Sequence, residues 1–383
     1  DTSVIVSSVA RGVGSILLNR PKALNALTNP MVVRMNELLQ SWTQQGSVVQ
    51  CVLVRGAGKA FCAGGDVKAC VTQALAGDFA SPEAFFASEY SLNLRLARLV
   101  IPYVALIDGI VMGGGVGASV HGQFRVATER TVFAMPECGI GLFPDVGANF
   151  FLSRLPGRLG LYLGLTGARL TGVTVREAGL ATHYLPSSSL DLVERALQQA
   201  LGETPAQAVQ VSHLDVVAKA LDRLQAQSAP LPTGELSQLL PLVNHYFAAP
   251  SLVGCLEVLE AAENGSSVVC PGSTEELDFV RTTLQALRKN SPLSQALTWE
   301  YFRRAMHAPL ATCLEADMAL IIRNVRGETD FYEGVRAALI DKTKPPQWKY
   351  NSVREVPQEV VERLLQGGPF ESSKLSSHTP AKL

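Results

Sequence analysis

Apolar positions fall into two regimes: strand-length runs through the first half of the chain, and helix-spaced stripes beyond Leu190. Ser15 to Leu18 is a short run closed by Asn19-Arg20-Pro21. Val48 to Val54 is a longer one, broken only by Gln50 and bounded by Gly46 and Gly56. Val104 to Ile107 and, more weakly, Phe124 to Ala127 repeat the pattern. Short apolar runs set between turn-forming residues predict strands. Between the first two, Met31, Met35, Leu38, Leu39 and Trp42 share one helical face, with Thr28 placed to cap and Pro30 suited to the first turn. Strands alternating with helices predict an α/β architecture.

Past Leu190 the strand-like runs almost disappear. Asp191 to Leu201, Leu214 to Ala226, Thr274 to Arg288 and Pro292 to Met306 carry Leu, Val and Ala at helical spacing, so the C-terminal half is expected to be mainly helical. Lys344-Pro345-Pro346 ends that half, and residues 367–383 read as a polar tail. The most membrane-like stretch, Tyr103 to Val120, holds Asp108 and the glycines Gly113, Gly114, Gly115 and Gly117. A spanning helix tolerates no such interruptions, so a buried strand, a glycine turn and a buried helix are predicted instead, with no membrane insertion. The chain begins at Asp1 with no signal-peptide pattern, which leaves a removed targeting segment open.

Composition narrows the function classes. The 33 basic and 34 acidic side chains give a net charge of −1, which argues against a nucleic-acid binder working through bulk positive charge. Hydrophobic residues at 47% and a mean hydropathy of +0.17 exclude a disordered chain. Seven cysteines (Cys51, Cys62, Cys70, Cys138, Cys255, Cys270 and Cys313) are scattered without CxxC spacing, and the histidines form no HExxH pair. Reduced thiols in an intracellular compartment and no structural metal are expected.

Three segments carry candidate chemistry. Ala60-Phe61-Cys62-Ala63-Gly64-Gly65-Asp66 and Gly109-Ile110-Val111-Met112-Gly113-Gly114-Gly115 each follow a predicted strand. Such glycines serve tight turns, or they bring two backbone N–H donors to one point as an oxyanion hole. A dinucleotide site does not fit, because position 118 is alanine where GxGxxG would need glycine. The third segment, Phe133 to Gly147, sets Glu137 and Asp145 in apolar, glycine- and proline-rich surroundings. Acids there either cap local helices or, with pKa values raised by apolar neighbours, do acid–base work. His121 lies in Ser119-Val120-His121-Gly122, which is no GxSxG elbow, so a buried structural histidine is expected. Cys62 has no evident cationic partner to make it a nucleophile.

In this order and spacing, AFCAGGD, GIVMGGG and MPE followed by Asp145 resemble the crotonase (enoyl-CoA hydratase/isomerase) superfamily. The likeness starts near Val4, includes Leu17 to Leu27 (LLNRPKALNAL), runs to about Leu201 and resumes from about Asn290 to Trp348. It implies the ClpP-like crotonase fold, a spiral of ββα units. The chain then divides into a core at 1–201, a helical insertion at 202–285, a C-terminal helical region at 286–366 and the tail. It also implies acyl-CoA thioesters as substrate, with the carbonyl held by the N–H groups of Gly65 and Gly114. Of the two glutamates that hydratases use, one position is Gly117 here; the other is kept as Glu137.

That pattern, with Tyr103 to Glu129, FAMPE, GLFPDVG and Asp330 to Lys342 (DFYEGVRAALIDK), is similar to the 3-hydroxyisobutyryl-CoA hydrolase family. The resemblance implies hydrolysis of 3-hydroxyisobutyryl-CoA, and of 3-hydroxypropionyl-CoA secondarily, in valine degradation. Glu137 would act as base or nucleophile, Asp145 would bind the substrate hydroxyl, and Glu89 would lie at the acyl pocket; read from the residues alone, Glu89 is as well a solvated helix glutamate. CoA is part of the substrate, and no further cofactor is expected. An enoyl-CoA hydratase/isomerase and an inactive acyl-CoA-binding or assembly subunit are the alternatives. One departure lies at Leu314-Glu315-Ala316-Asp317, where relatives more often follow the acid with an aromatic–arginine pair; its place in the helical half points to packing or assembly. Family helices often mediate trimer contacts, which insertion 202–285 would block or replace, so homo-oligomerisation stays open. Ala381-Lys382-Leu383 is a variant of the Ser-Lys-Leu peroxisomal address, which implies a peroxisomal import receptor, with the mitochondrion as the alternative compartment.

Overall fold

The computed structural model describes residues 4–202, 212–265, 273–342 and 344–370. Residues 371–383, with the Ala381-Lys382-Leu383 address, and Cys270 lie outside the described residues. The chain forms two compact units, one from Asp1–Asp66, Ala87–Met135 and Arg169–Leu239, the other from Val67–Phe86, Pro136–Ala168 and Leu240–Leu383.

Among the described residues the first unit holds ten strands: β1 (Ile5–Ala10), β2 (Val13–Leu18), β3 (Cys51–Gly56), β4 (Ala60–Cys62), β5 (Tyr103–Ile107), β6 (Ile110–Met112), β7 (Phe124–Ala127), β8 (Val132–Ala134), β9 (Leu170–Thr171) and β10 (His183–Tyr184). They make a six-stranded sheet in the order β1-β2-β3-β5-β7-β10 and a four-stranded sheet in the order β4-β6-β8-β9. From β2 to β10 the larger sheet is parallel. Both faces are covered. Cys51, Leu53, Val104, Leu106 and Val126 pack on Val193, Leu197, Leu201, Val217 and Leu221, while Val52, Val54 and Ala105, which alternate with them, are buried as well. Two-sided burial is why these strands read as continuous apolar runs.

The predicted helix at Met31 is Asn29–Trp42, with Pro30 in its first turn; Thr28 is the N-cap, but its side chain makes no capping hydrogen bond. The run beginning at Val48 becomes strand only at Cys51, and Val48 itself is exposed. Beyond Leu190 no strand occurs among the described residues, and the expected helices appear as Leu190–Gly202, His213–Gln227, Thr274–Lys289 and Pro292–Ala305. Segment 202–285 is shared between the units, which divide after Leu239.

The second unit is helical. Ser251, Ser273 and Ser291 each cap a helix by accepting an N–H from Gly254, Glu276 and Ser294 respectively. Tyr162 packs edge-on against Phe247, and Phe143 against Tyr301, with centroids 5.5 and 6.0 Å apart. No described helix is long and apolar enough to cross a membrane.

Candidate active site

In the first unit, β4 and β6 run parallel, pairing Ala60 with Ile110 and Cys62 with Val111. The chain therefore leaves both strands at the same end, and the two glycine turns meet there. Gly64 has φ +121° and Gly113 φ +48°, conformations that side-chain-bearing residues resist. Leu27 bridges the first turn: its N–H donates to the Gly64 carbonyl at 2.8 Å, and the Asp66 N–H donates to the Leu27 carbonyl at 2.8 Å. That bridge does not use the N–H of Gly65. Gly114 opens the short helix Gly114–Val120. A Cβ built on Gly114 would lie 3.1 Å from the Gly65 nitrogen and would overlap Oε1 of Glu89. Gly65, Gly114 and Glu89 are thus brought together.

Glu89 is not a solvated helix acid. It sits on the helix Ala80–Ala97 and is only 2% exposed. Nearby Cys62 is fully buried, and burial first, then the charge of Glu89, pushes its thiol up to about 12. A thiol that keeps its proton at neutral pH is a poor nucleophile. His121 is half-buried at the end of Gly114–Val120, less enclosed than the sequence suggested.

In the second unit both loop acids are buried: Glu137 and Asp145 are each 4% exposed. Glu137 begins a 3-10 turn, Glu137–Ile140, closed by Gly141 in the left-handed region. Two glycine contacts clamp it. A Cβ on Gly141 would overlap the Asp330 carbonyl, and one on Gly334 would overlap the carbonyl of Ile140. Asp330 accepts from Ser291 Oγ at 2.6 Å and from the Lys349 N–H at 3.1 Å. The Ser291 N–H donates to the Cys138 carbonyl at 3.0 Å. The Asp330 to Lys342 motif therefore buttresses the turn that carries Glu137.

Asp145 precedes a strained turn. Val146, a β-branched residue, has φ +53°, a conformation that costs on the order of 1–3 kcal/mol. The next N–H, of Gly147, donates to Oδ2 of Asp317 at 2.7 Å. Oδ1 of Asp317 lies 2.6 Å from the Tyr301 hydroxyl, which in turn donates to the Cys313 carbonyl at 2.8 Å. Asp317 is fully buried, and its carboxyl is held well above the usual range by burial, with the charge of Asp145 adding to the effect. The departure that the sequence assigned to packing or assembly thus anchors the turn next to Asp145. The available signal was an acid inside the apolar stripe of Cys313, Leu314, Leu320 and Ile321.

Asp317 gives a pH prediction. Its folded carboxyl keeps a proton that the unfolded one loses, so the stability from this group is lost as pH rises from the ordinary carboxylate range toward its raised value. Asp317→Asn can keep an oxygen toward Gly147 and turn its amide N–H toward Tyr301. Urea midpoints of the wild-type protein should fall more steeply than those of the variant as pH rises above the ordinary carboxylate range. Parallel curves would contradict this protonation.

Beside the Glu137 turn is a cavity of about 640 Å³ lined by Pro136, Gly139, Ile140, Thr166, Asn290, Pro345 and Pro346 and by the lysines Lys289, Lys342 and Lys344. A π-helix, Arg336–Asp341, delivers the chain to it and ends on Lys342 in the left-handed region. Among the described residues no group of three or more His, Cys, Asp or Glu side chains could hold a metal ion.

The family model for enoyl-CoA hydratase/isomerase matches residues 13–365. The chain belongs to this family. Its relatives within the family include a 3-hydroxyisobutyryl-CoA hydrolase, mitochondrial, from Danio rerio, 42% identical over 92% of this chain and 86% of that protein. 3-Hydroxyisobutyryl-CoA hydrolase 1 of Arabidopsis thaliana is 39% identical over 92% of this chain and 88% of that one. Among solved structures, an enoyl-CoA hydratase from Rhodobacter sphaeroides 2.4.1 is 34% identical with a TM-score of 0.81, covering 95% of this chain and 97% of that chain. The crotonase fold expected from the motifs is therefore the fold of this family member, helical C-terminal half included. The mitochondrial label of the Danio rerio relative agrees with the compartment placed second in the sequence reading, not with the peroxisome.

Proposed function

We propose that this chain hydrolyses 3-hydroxyisobutyryl-CoA to the free hydroxy acid and CoA, a step of valine degradation, with 3-hydroxypropionyl-CoA as a secondary substrate. The observation that carries the reading is the 42% identity to a hydrolase of that name over 92% of the chain. The residues support it. Hydration needs one group to activate water and another to protonate carbon, and Gly117 stands where the first hydratase glutamate would be. Thioester hydrolysis needs only a polarised carbonyl and one base or nucleophile.

In this reading the N–H groups of Gly65 and Gly114 receive the carbonyl oxygen as it gains negative charge, each worth about 3 kcal/mol in the transition state. Glu137 either attacks the carbonyl carbon, expelling CoA as thiolate and leaving a mixed anhydride for water to open, or takes a proton from the attacking water. Asp145 accepts a hydrogen bond from the substrate hydroxyl and helps to place Glu137 or the water. Glu89 lines the acyl pocket, and no resident cofactor is required. The lysines Lys289, Lys342 and Lys344 supply the local positive charge that a near-neutral protein needs to meet the CoA phosphates.

The enoyl-CoA hydratase name of the Rhodobacter sphaeroides neighbour favours the rival reading of a hydratase. An inactive binding subunit is disfavoured because Glu137 and Asp145 are both kept. The relatives' names support the mitochondrion as the compartment, whereas an import receptor for the peroxisome rests on Ala381-Lys382-Leu383 alone. The test is a thiol-release assay across acyl-CoA esters. The 3-hydroxyisobutyryl and 3-hydroxypropionyl esters should be cleaved at least about 100-fold faster than acetyl-CoA, because a site built for a hydroxyl is left unpaired without one. Equal rates across the panel would reject the assignment.

A further inference from the structure

Asn93 is fully buried, and neither its amide oxygen nor its amide nitrogen has a hydrogen-bond partner among the described residues. Leaving both ends of a buried amide unpaired is costly, and most such groups in folded proteins are satisfied. Asn93 lies on the helix Ala80–Ala97, four residues after Glu89. Positions four apart share one helical face. Glu89 carries that face to Gly114, since its Oε1 occupies the space a Cβ on Gly114 would need.

A substrate hydroxyl has one proton to donate and two lone pairs to fill. Ionised carboxylates accept only, so Glu89, the candidate acid on the same helix, can accept a hydrogen bond from that proton and do nothing more. Complete recognition of a hydroxyl requires an N–H donor as well, and Asn93 Nδ2 is a buried donor left unpaired. Resting on the hydrolase reading above, we propose that Asn93 is a substrate-recognition residue whose amide N–H donates to the 3-hydroxyl oxygen of the acyl group. It makes the enzyme prefer hydroxyacyl over plain acyl thioesters. The orphaned amide of the free enzyme gains its partner only when a hydroxylated substrate is bound.

The experiment compares 3-hydroxyisobutyryl-CoA with isobutyryl-CoA, which lacks only the hydroxyl. It uses the wild-type protein, Asn93→Leu, which puts methyl groups in place of both polar atoms on the same branched skeleton, and Asn93→Asp, which keeps the shape and loses the N–H. Thermal unfolding is followed alongside, and Asn93→Leu should melt no lower than wild type, because an unpaired amide gives nothing to the free fold. In both variants the ratio of kcat/KM for the hydroxy ester to that for the plain ester should fall at least tenfold, through loss on the hydroxy ester. If Asn93→Leu does not fold, Asn93→Asp carries the comparison. A fall in both esters together, with the ratio kept, would overturn the assignment and leave the hydrolase reading intact. Wild-type protein that releases no thiol from the hydroxy ester would overturn both.

Discussion

Glu137→Gln should reduce kcat on 3-hydroxyisobutyryl-CoA by about a thousandfold or more while leaving ester affinity within a few-fold. The amide is nearly the same shape as the carboxyl, so the clamp by Gly141, Gly334 and the Ser291 N–H on the turn stays in place. What is lost is the charge that either attacks carbon or takes the water's proton. About 4 kcal/mol of transition-state stabilisation corresponds to that thousandfold. Single-turnover thiol release gives kcat, and a calorimetric titration of the variant with intact substrate gives the affinity. Unchanged turnover would remove Glu137 from the chemistry, and lost binding would recast it as a substrate-binding group.

Gly114→Ala should cost about a hundredfold in kcat, the order found when one oxyanion donor is removed. The new Cβ has no room: it overlaps Glu89 Oε1 and sits 3.1 Å from the Gly65 nitrogen. To accommodate it the turn must shift, and a displacement under 1 Å is enough to spoil hydrogen bonds to a developing oxyanion. Gly254→Ala is the control. Its Cβ would meet Ala249 Cβ at 3.1 Å and Ser251 Oγ at 3.2 Å at the start of an ordinary helix, and activity should be unchanged. Equal loss in the two variants would show that general destabilisation, not the turn, is being measured.

Much of this was legible in the sequence for definite reasons. The central strands announced themselves because both faces of the parallel sheet are covered, so Val52 and Val54 are as apolar as Cys51 and Leu53. Glu137 and Asp145 stood out because their neighbours are apolar, and the fold buries both. Less could be read where burial and local pattern part company. Strand β1 escaped notice because five of its six residues are exposed, and β9 and β10 have only two residues each. The helix Ala80–Ala97 carries Glu89, Asn93 and Tyr90 on buried positions beside Phe85 and Phe86, so it shows no clean polar face. The link from Asp317 to the turn after Asp145 could not be read because its partner Gly147 is 170 residues away in sequence. No local pattern reports so distant a hydrogen bond.

The central claim is that the chain cleaves a hydroxyacyl thioester and does not add water to an enoyl one. The most direct measurement gives purified protein crotonyl-CoA in one cuvette and 3-hydroxyisobutyryl-CoA in another, with a thiol trap in both and the enoyl absorbance followed in the first. The account predicts stoichiometric thiol from the hydroxy ester and a stable enoyl absorbance without thiol from crotonyl-CoA. Decay of the enoyl absorbance without thiol, together with an inert hydroxy ester, would contradict it.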